Sequence, residues 1–189
     1  MQIRFKLAAV AALFVASPAF AQTPPDLFDW DKAAGWSISA TGLRHKSGLS
    51  CPSAAWKGLG PVAPMGHDTD PSQGVKTDAT CQYYVYWDQY GPRPTRLVIN
   101  IVKLPDVGAY VSAWTKAKNT YGVATERTVK RGAVTYRVLT WPDDPRHDFS
   151  IIVRDAPGTA GYVISMAKPR GYAETKYWPV IDALIKANP

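Results

Sequence analysis

The sequence predicts an α+β fold, in which an antiparallel sheet built of sequential hairpins is packed by two amphipathic helices. Apolar and polar residues alternate in several short segments, as they do in half-buried strands. Gly and Pro residues separate these segments at spacings typical of hairpins. Apolar residues recur at helical spacing in only two longer segments, so strands outnumber helices and a regular βαβ repeat is not expected.

The N-terminus has the pattern of a secretory signal peptide. Arg4 and Lys6 precede a short apolar run, and small residues lead to a cleavage site after Ala21. We therefore expect residues 1–21 to be removed, leaving 168 of the 189 residues. Residues 22–35 are predicted to form an N-terminal arm, and residues 36–189 a single α+β domain. The predicted location is periplasmic or secreted, with no transmembrane segment after processing.

The first half of the domain is predicted to be strands. Residues 36–41 and 43–51 should form a hairpin, in which His45 is expected at an exposed or rim position. A strong strand follows at residues 79–87. The strand at residues 95–104 is apolar on both faces, which predicts a central position in the sheet.

The hydrophobic period then changes to that of a helix. The helix should begin after Asp106, whose carboxylate is a suitable N-cap, and end at Gly122 in the left-handed C-terminal position. Two further hairpins and a closing helix are predicted, over residues 123–129 with 133–141, 149–154 with 162–167, and 175–187. This order of elements resembles, in architecture only, the PsbP-like sandwich of photosystem accessory proteins and some bacterial periplasmic domains; no motif carries the resemblance, and fold alone does not give function.

The charge pattern argues against nucleic-acid binding. The chain has 22 Lys and Arg against 15 Asp and Glu, and loses two of the basic residues with the leader, which leaves a net charge of +5. The basic residues are scattered, whereas nucleic-acid binding needs a dense basic stripe. We therefore expect a solvated surface.

Cys51 and Cys81 are the only cysteines. They lie 30 positions apart without a Cys-x-x-Cys spacing, so an oxidising compartment would join them in a structural disulfide rather than a redox-active pair. This bond would tie the two ends of the Gly- and Pro-rich segment 52–77, which the sequence predicts to be a long loop.

Two groups of residues are candidates for a functional site. Tyr84, Tyr86 and Tyr90 lie on or after the strong strand, and a strand that alternates its faces cannot bury all of its aromatic residues on one side. These rings are candidates for ligand binding, or for packing under a second layer. His67, Asp70 and His147 are candidates for a metal site, although their loop composition is equally typical of solvated turns.

The sequence favours a non-catalytic binding or accessory domain that recognises an unknown protein, envelope component or small ligand. It contains no nucleophile elbow, phosphate-binding Gly-rich loop, His-Glu-x-x-His helix or haem motif, and it requires no cofactor. The alternative is a metal-dependent or acid–base hydrolase acting on an envelope polymer, with His67, Asp70 and His147 as its residues.

Overall fold

The computed structural model describes residues 35–56, 60–62, 64–67, 74–86, 96–142, 147–155 and 159–189. The strands are β1 (Trp36–Ser39), β2 (Gly42–His45), β3 (Ser50–Pro52), β4 (Ala54–Trp56), β5 (Gly60–Val62), β6 (Met65–His67), β7 (Ala79–Tyr86), β8 (Arg96–Leu104), β9 (Thr125–Arg131), β10 (Val134–Pro142), β11 (His147–Arg154) and β12 (Gly161–Pro169). The helices are α1 (Val107–Lys118) and α2 (Glu174–Ala187). The predicted α+β class is confirmed, with an antiparallel sheet made of sequential hairpins.

A seven-stranded antiparallel sheet organises the fold, in the order β6-β7-β8-β12-β11-β10-β9. The predicted hairpins β9–β10 and β11–β12 are present, and Gly132 at the first hairpin turn has a φ of 59°. β8 is central, as its two apolar faces predict, because it pairs with β7 on one side and β12 on the other. A separate three-stranded sheet, β1-β2-β3, packs beside it.

The two faces of the seven-stranded sheet carry different layers. The α2 face packs against α2 and the three-stranded sheet, and the α1 face packs against α1. Alternate residues of β8 divide between the two: Ile99 and Ile101 lie in the α2-face core, and Val102 and Leu104 in the α1-face core. Each face therefore has its own hydrophobic core.

Helix α1 begins as predicted and ends earlier than predicted. The Asp106 carboxylate accepts a hydrogen bond from the Ala109 N–H at 2.8 Å, which satisfies one of the free donors of the first turn. Gly122 does not terminate the helix, because the C-cap is Asn119 in right-handed conformation. Gly122 does have a positive φ of 143°, so it turns the chain toward β9.

Helix α2 buries Trp178, Ile181 and Leu184, as the spacing predicts, while Ile185 is only partly buried. Pro179 lies within the helix and removes one N–H donor from the second turn. Asn188 follows the helix and lies buried against β3.

The three-stranded sheet is attached to the α2 face through β3 and β7. Cys51 and Cys81 lie at disulfide distance with Cα atoms 6.3 Å apart, and both are buried. The Tyr83 hydroxyl donates a hydrogen bond to the Pro52 carbonyl at 3.2 Å. Gly42 has a φ of 138°, and a Cβ there would lie 2.2 Å from the Cys51 carbonyl oxygen, so only glycine allows this close approach.

Two expectations were wrong. The segment 52–77 is not entirely loop, because β4 and β5 form a small hairpin and β6 extends the seven-stranded sheet beside β7. His45 is not at an exposed or rim position, since it is only 5% exposed and its ring centroid lies 4.8 Å from that of Trp36. The N-terminal arm falls almost wholly outside the described residues. None of the described helices is both long and apolar enough to cross a membrane.

Candidate anion-binding site

The predicted aromatic surface is represented by Tyr84 alone in the described side chains. Tyr84 lies on the α1 face of β7 and is 37% exposed. Tyr86 belongs to β7, but its side chain lies outside the described part of the structure, as does the whole of Tyr90. Whether the three rings form one binding surface stays a prediction.

The α1 face near Tyr84 is polar. Its strand neighbours include Asn100, whose side-chain N–H donates to the Ser165 hydroxyl at 3.3 Å. Among the described atoms, Thr80 Oγ1, Asn100 Oδ1 and Trp114 Nε1 are buried and make no hydrogen bond. Buried polar atoms are normally satisfied, so these groups mark a polar part of this face, and Arg154 Nε is in the same state on the α2 face.

The candidate metal ligands do not come together in the described residues. His147 begins β11 and is half-buried, opposite Pro169 of β12. His67 lies in β6 with its side chain outside the described part, and Asp70 lies outside it entirely. The carboxylate after His147, Asp148, pairs with Lys168 at 3.0 Å. Within the described ranges, no group of three His, Cys, Asp or Glu side chains is placed to bind a metal.

A basic cavity of about 290 Å³ lies where the three-stranded sheet and the end of α2 meet the α2 face. We call it the basic pocket. Its polar lining is Arg44, Ser47, Ser50, Lys103, Tyr162 and Asn188. The pocket therefore contains two permanent cations, two hydroxyl groups of serine, a phenol and an amide.

Strand register places Lys103 and Tyr162 together. They are direct partners across the β8–β12 pair, so their side chains emerge from the same face of the sheet. Arg44 reaches the pocket from β2, where it lies opposite Ser37 and Ser50. Three segments that are distant in the chain thus supply the pocket.

The chain terminus forms one wall of the pocket. Asn188 accepts a hydrogen bond from the Ser50 N–H at 2.8 Å and donates one to the Ser50 carbonyl at 2.8 Å. It also donates to the Leu184 carbonyl at 2.9 Å. The amide side chain thereby occupies the free edge of β3 and fixes the end of α2 against it.

Among the described residues, the acidic side chains lie outside the pocket, and Pro189, the last residue of the sequence, also lines it. Neither Arg44 nor Lys103 forms an ion pair there, and no Asp or Glu side chain lines the cavity. Asp78 bonds through its backbone N–H to the Lys103 carbonyl at 2.9 Å, but its carboxylate does not pair with the lysine. Two cations that share a cavity with no Asp or Glu side chain in its described lining favour an anion from solution.

Tyr162 enters the pocket as a neutral hydrogen-bond group. Burial, followed by its hydrogen bond with Tyr136, raises the pKa of the Tyr162 phenol above its ordinary value of 10.0. The two hydroxyl oxygens lie 3.3 Å apart, and the Arg154 guanidinium lies 5.8 Å from the centre of the Tyr162 ring. The phenol therefore stays protonated at neutral pH, and its hydroxyl group is held by Tyr136 while the residue lines the pocket.

A second cavity, of about 310 Å³, adjoins the first on the solvent face of the three-stranded sheet. Its polar lining consists of the hydroxyl side chains Ser37, Ser39 and Thr41 together with Arg44 and Ser50. Arg44 and Ser50 line both cavities. We call the second cavity the hydroxyl groove.

Comparison of the chain with models of known protein families, with curated proteins and with solved structures found no match. The site therefore rests on its own geometry. Sequence reasoning missed Arg44, Lys103 and Tyr162. One signal was present: Lys103 is the only charged residue between Leu97 and Leu104, and a lysine in such an apolar strand often lies where the sheet meets solvent or a ligand.

Proposed function

We propose that the chain is a non-catalytic binding domain that recognises an anionic group in the basic pocket. The observation that carries the proposal is the placement of Arg44 and Lys103 in one cavity whose described lining contains no Asp or Glu side chain. A guanidinium offers two parallel donors to a carboxylate or phosphate, and a lysine adds a point charge.

We also propose that the domain works outside the cytoplasm, where its ligand is an envelope component or a secreted partner. The leader-like pattern of residues 1–21 supports this location. The buried cysteine pair at disulfide distance fits an oxidising compartment. The placement of α1 and α2 on opposite faces of an antiparallel sheet supports a PsbP-like sandwich, which remains an architectural proposal.

Simple anions test the proposed function. Phosphate, sulfate and acetate should each stabilise the protein against heat, by an amount that grows with the logarithm of their concentration once it exceeds Kd, at constant ionic strength set with chloride. Binding is measured by calorimetry and by two-dimensional NMR of the labelled protein. Chemical-shift changes should centre on Lys103, Tyr162 and the Ser47–Ser50 turn.

The decisive variant is Lys103→Gln, because it removes a charge and keeps most of the side-chain length. A charge-assisted hydrogen bond contributes about 1.5–3 kcal/mol, so anion affinity should fall by about tenfold or more. The matched control is Lys130→Gln, which removes the same charge from an exposed position on β9. Equal weakening by both variants would show only a general charge effect, and no saturable binding of any anion would overturn the proposal.

A further inference from the structure

We infer that the ligand of the basic pocket is an acidic saccharide whose neutral part lies in the hydroxyl groove. This inference rests on the proposed function and extends it from an anionic group to a class of molecule. Arg44 and Ser50 line both cavities, so the pocket and the groove are direct neighbours on either side of these two residues.

The groove offers the hydrogen-bonding groups that a sugar requires. Ser37 and Ser39 lie on the solvent face of β1, on the same side as Arg44 of β2. The Ser37 hydroxyl donates to the Arg44 carbonyl at 3.2 Å, and the Ser39 hydroxyl donates to the Gly42 carbonyl at 3.1 Å. Because the Ser37 hydroxyl donates its proton to the backbone, its oxygen keeps lone pairs that can accept from the hydroxyl groups of a ligand. The Ser39 oxygen also accepts from the Thr41 N–H at 3.3 Å, so at most one of its lone pairs is left for a ligand.

These backbone hydrogen bonds also preorganise the groove. A serine on a surface strand normally rotates among several rotamers and loses that freedom on binding. Here Ser39 is held on two sides, since its hydroxyl also lies 3.0 Å from that of Thr41. The row of acceptors is therefore set before a ligand arrives, which lowers the entropic cost of binding.

The size and chemistry of the groove distinguish a saccharide from a free anion. Neighbouring strands lie about 4.8 Å apart, so the face of a three-stranded sheet is about 10 Å wide. Inorganic phosphate or acetate would fill the basic pocket alone and leave the groove to water. A uronic acid oligomer would place one carboxylate between Arg44 and Lys103 and its ring hydroxyls against Ser37 and Ser39.

The experiment compares four probes by calorimetry: acetate, inorganic phosphate, a galacturonate trimer and the neutral trisaccharide maltotriose. We expect the galacturonate trimer to bind at least about tenfold more tightly than acetate, since each additional hydrogen bond contributes about 1 kcal/mol. Maltotriose should bind more weakly than the acidic trimer by a similar factor, because it cannot use the two cations.

Serine variants test whether the hydroxyl groove causes the tighter binding of the trimer. Ser37→Ala with Ser39→Ala should reduce affinity for the trimer toward that for acetate and leave acetate binding unchanged, which also shows that the variant is folded. Because Ser39 supports the β1–β2 turn, Ser37→Ala alone serves as a second variant with a smaller loss. Thr128→Ala, at an exposed hydroxyl on β9, is the control and should change nothing.

The outcomes separate this inference from the proposed function. If acetate and phosphate bind through Lys103 but the galacturonate trimer binds no more tightly than acetate, the saccharide inference is wrong and anion binding stands. The same conclusion follows if the serine variants bind the trimer as tightly as the wild-type protein does. Equal binding of maltotriose and the acidic trimer also overturns the inference. If no anion binds at all, the proposed function itself fails.

Discussion

The α2 face and the α1 face of the seven-stranded sheet are covered to different extents. On the α2 face, α2 and the three-stranded sheet together cover the strands from β7 to the edge strand β9. At that edge Arg131 lies 4.1 Å above the Trp178 ring and pairs with Asp182 at 3.1 Å, so even the last strand is joined to the helix. The interior of this face is mainly apolar, and its buried Ser150 hydroxyl pairs with that of Thr140 at 2.9 Å.

The α1 face is covered mainly at one end. Trp114 of α1 stacks on Phe149 with ring centroids 4.3 Å apart, and Lys118 lies over the same ring at 4.8 Å. Toward β7 the covering stops, and Tyr84 is 37% exposed beside the polar side chain of Asn100. One helix without a second sheet thus leaves polar groups in the middle of this face rather than at its rim.

The difference shows where each face can bind. A sealed apolar layer leaves a site only at its boundary, and the basic pocket lies at that boundary, between the three-stranded sheet, β8 and the end of α2. On the α1 face the predicted tyrosine surface would lie on the open part of the sheet itself. Substitutions on the two faces should therefore change the free energy of unfolding by different amounts.

The largest difference is expected between Tyr83 and Tyr84, which are neighbours on β7 with opposite orientations. Tyr83 is fully buried on the α2 face, so Tyr83→Ala should cost about 3–5 kcal/mol in the free energy of unfolding. Tyr84→Ala should cost about 1 kcal/mol or less, because the ring is already 37% exposed. Urea unfolding followed by tryptophan fluorescence measures both.

Tyr83→Phe is the control for this pair. It removes only the hydrogen bond to the Pro52 carbonyl and should cost about 1 kcal/mol. If Tyr84→Ala unfolds the protein as readily as Tyr83→Ala, the α1 face is a sealed core at this position. Tyr84 would then be a packing residue, and the predicted aromatic binding surface would lose its support.

A comparable but slightly smaller effect is expected from the cysteine pair. Cys51→Ala with Cys81→Ala removes a cross-link that closes a loop of 30 residues, which should lower the free energy of unfolding by about 3–4 kcal/mol in the chain-entropy model. The link joins the three-stranded sheet to β7, so the variant should also weaken anion binding in the basic pocket. An oxidised and a reduced wild-type protein of equal stability would contradict this account.

The sequence predicts most of the elements because their patterns are local. The N-cap of α1 needed only Asp106 and the apolar spacing after it, and the hairpin at Gly132 needed only a glycine between two alternating segments. The strands β4, β5 and β6 were not predicted, since each has three residues and Gly or Pro lies within it or within two residues of its ends. Such short strands form because pairing with distant parts of the chain stabilises them. The local sequence pattern therefore does not predict them.

The basic pocket could not be predicted for a different reason. Arg44, Lys103 and Tyr162 belong to β2, β8 and β12, and they meet only through the pairing of β8 with β12 and the docking of the three-stranded sheet. His45 shows the same limit. Its charged neighbours Arg44 and Lys46 favour a surface position, but the strand turns its ring against Trp36, where it is buried.

The smallest effect is expected at Glu126 and Arg137, on the uncovered edge of the α1 face. The Glu126 carboxylate accepts from Arg137 at 2.7 and 3.0 Å, and this hydrogen bond holds the pKa of the carboxyl below its ordinary value of 4.5. The pair therefore stabilises the fold above that ordinary pKa, and its contribution is lost as the pH falls through the lower folded-state pKa. Both side chains are well exposed, so solvent and salt weaken the attraction.

Thermal unfolding of Glu126→Gln, Arg137→Gln and the double variant isolates this pair. A small loss of stability is expected at about pH 7, and it should disappear below the lowered pKa of the Glu126 carboxyl and in high salt. Arg131→Gln is the matched case on the α2 face, because it removes both an ion pair and a contact with the Trp178 ring. Its cost should be larger and should survive high salt, since the ring contact does not depend on Asp182. If the losses of stability at Glu126 and Arg131 were equal and equally sensitive to salt, α2 would not protect its side of β9 from solvent. The difference in covering between the two faces would then not extend to the edge strand β9.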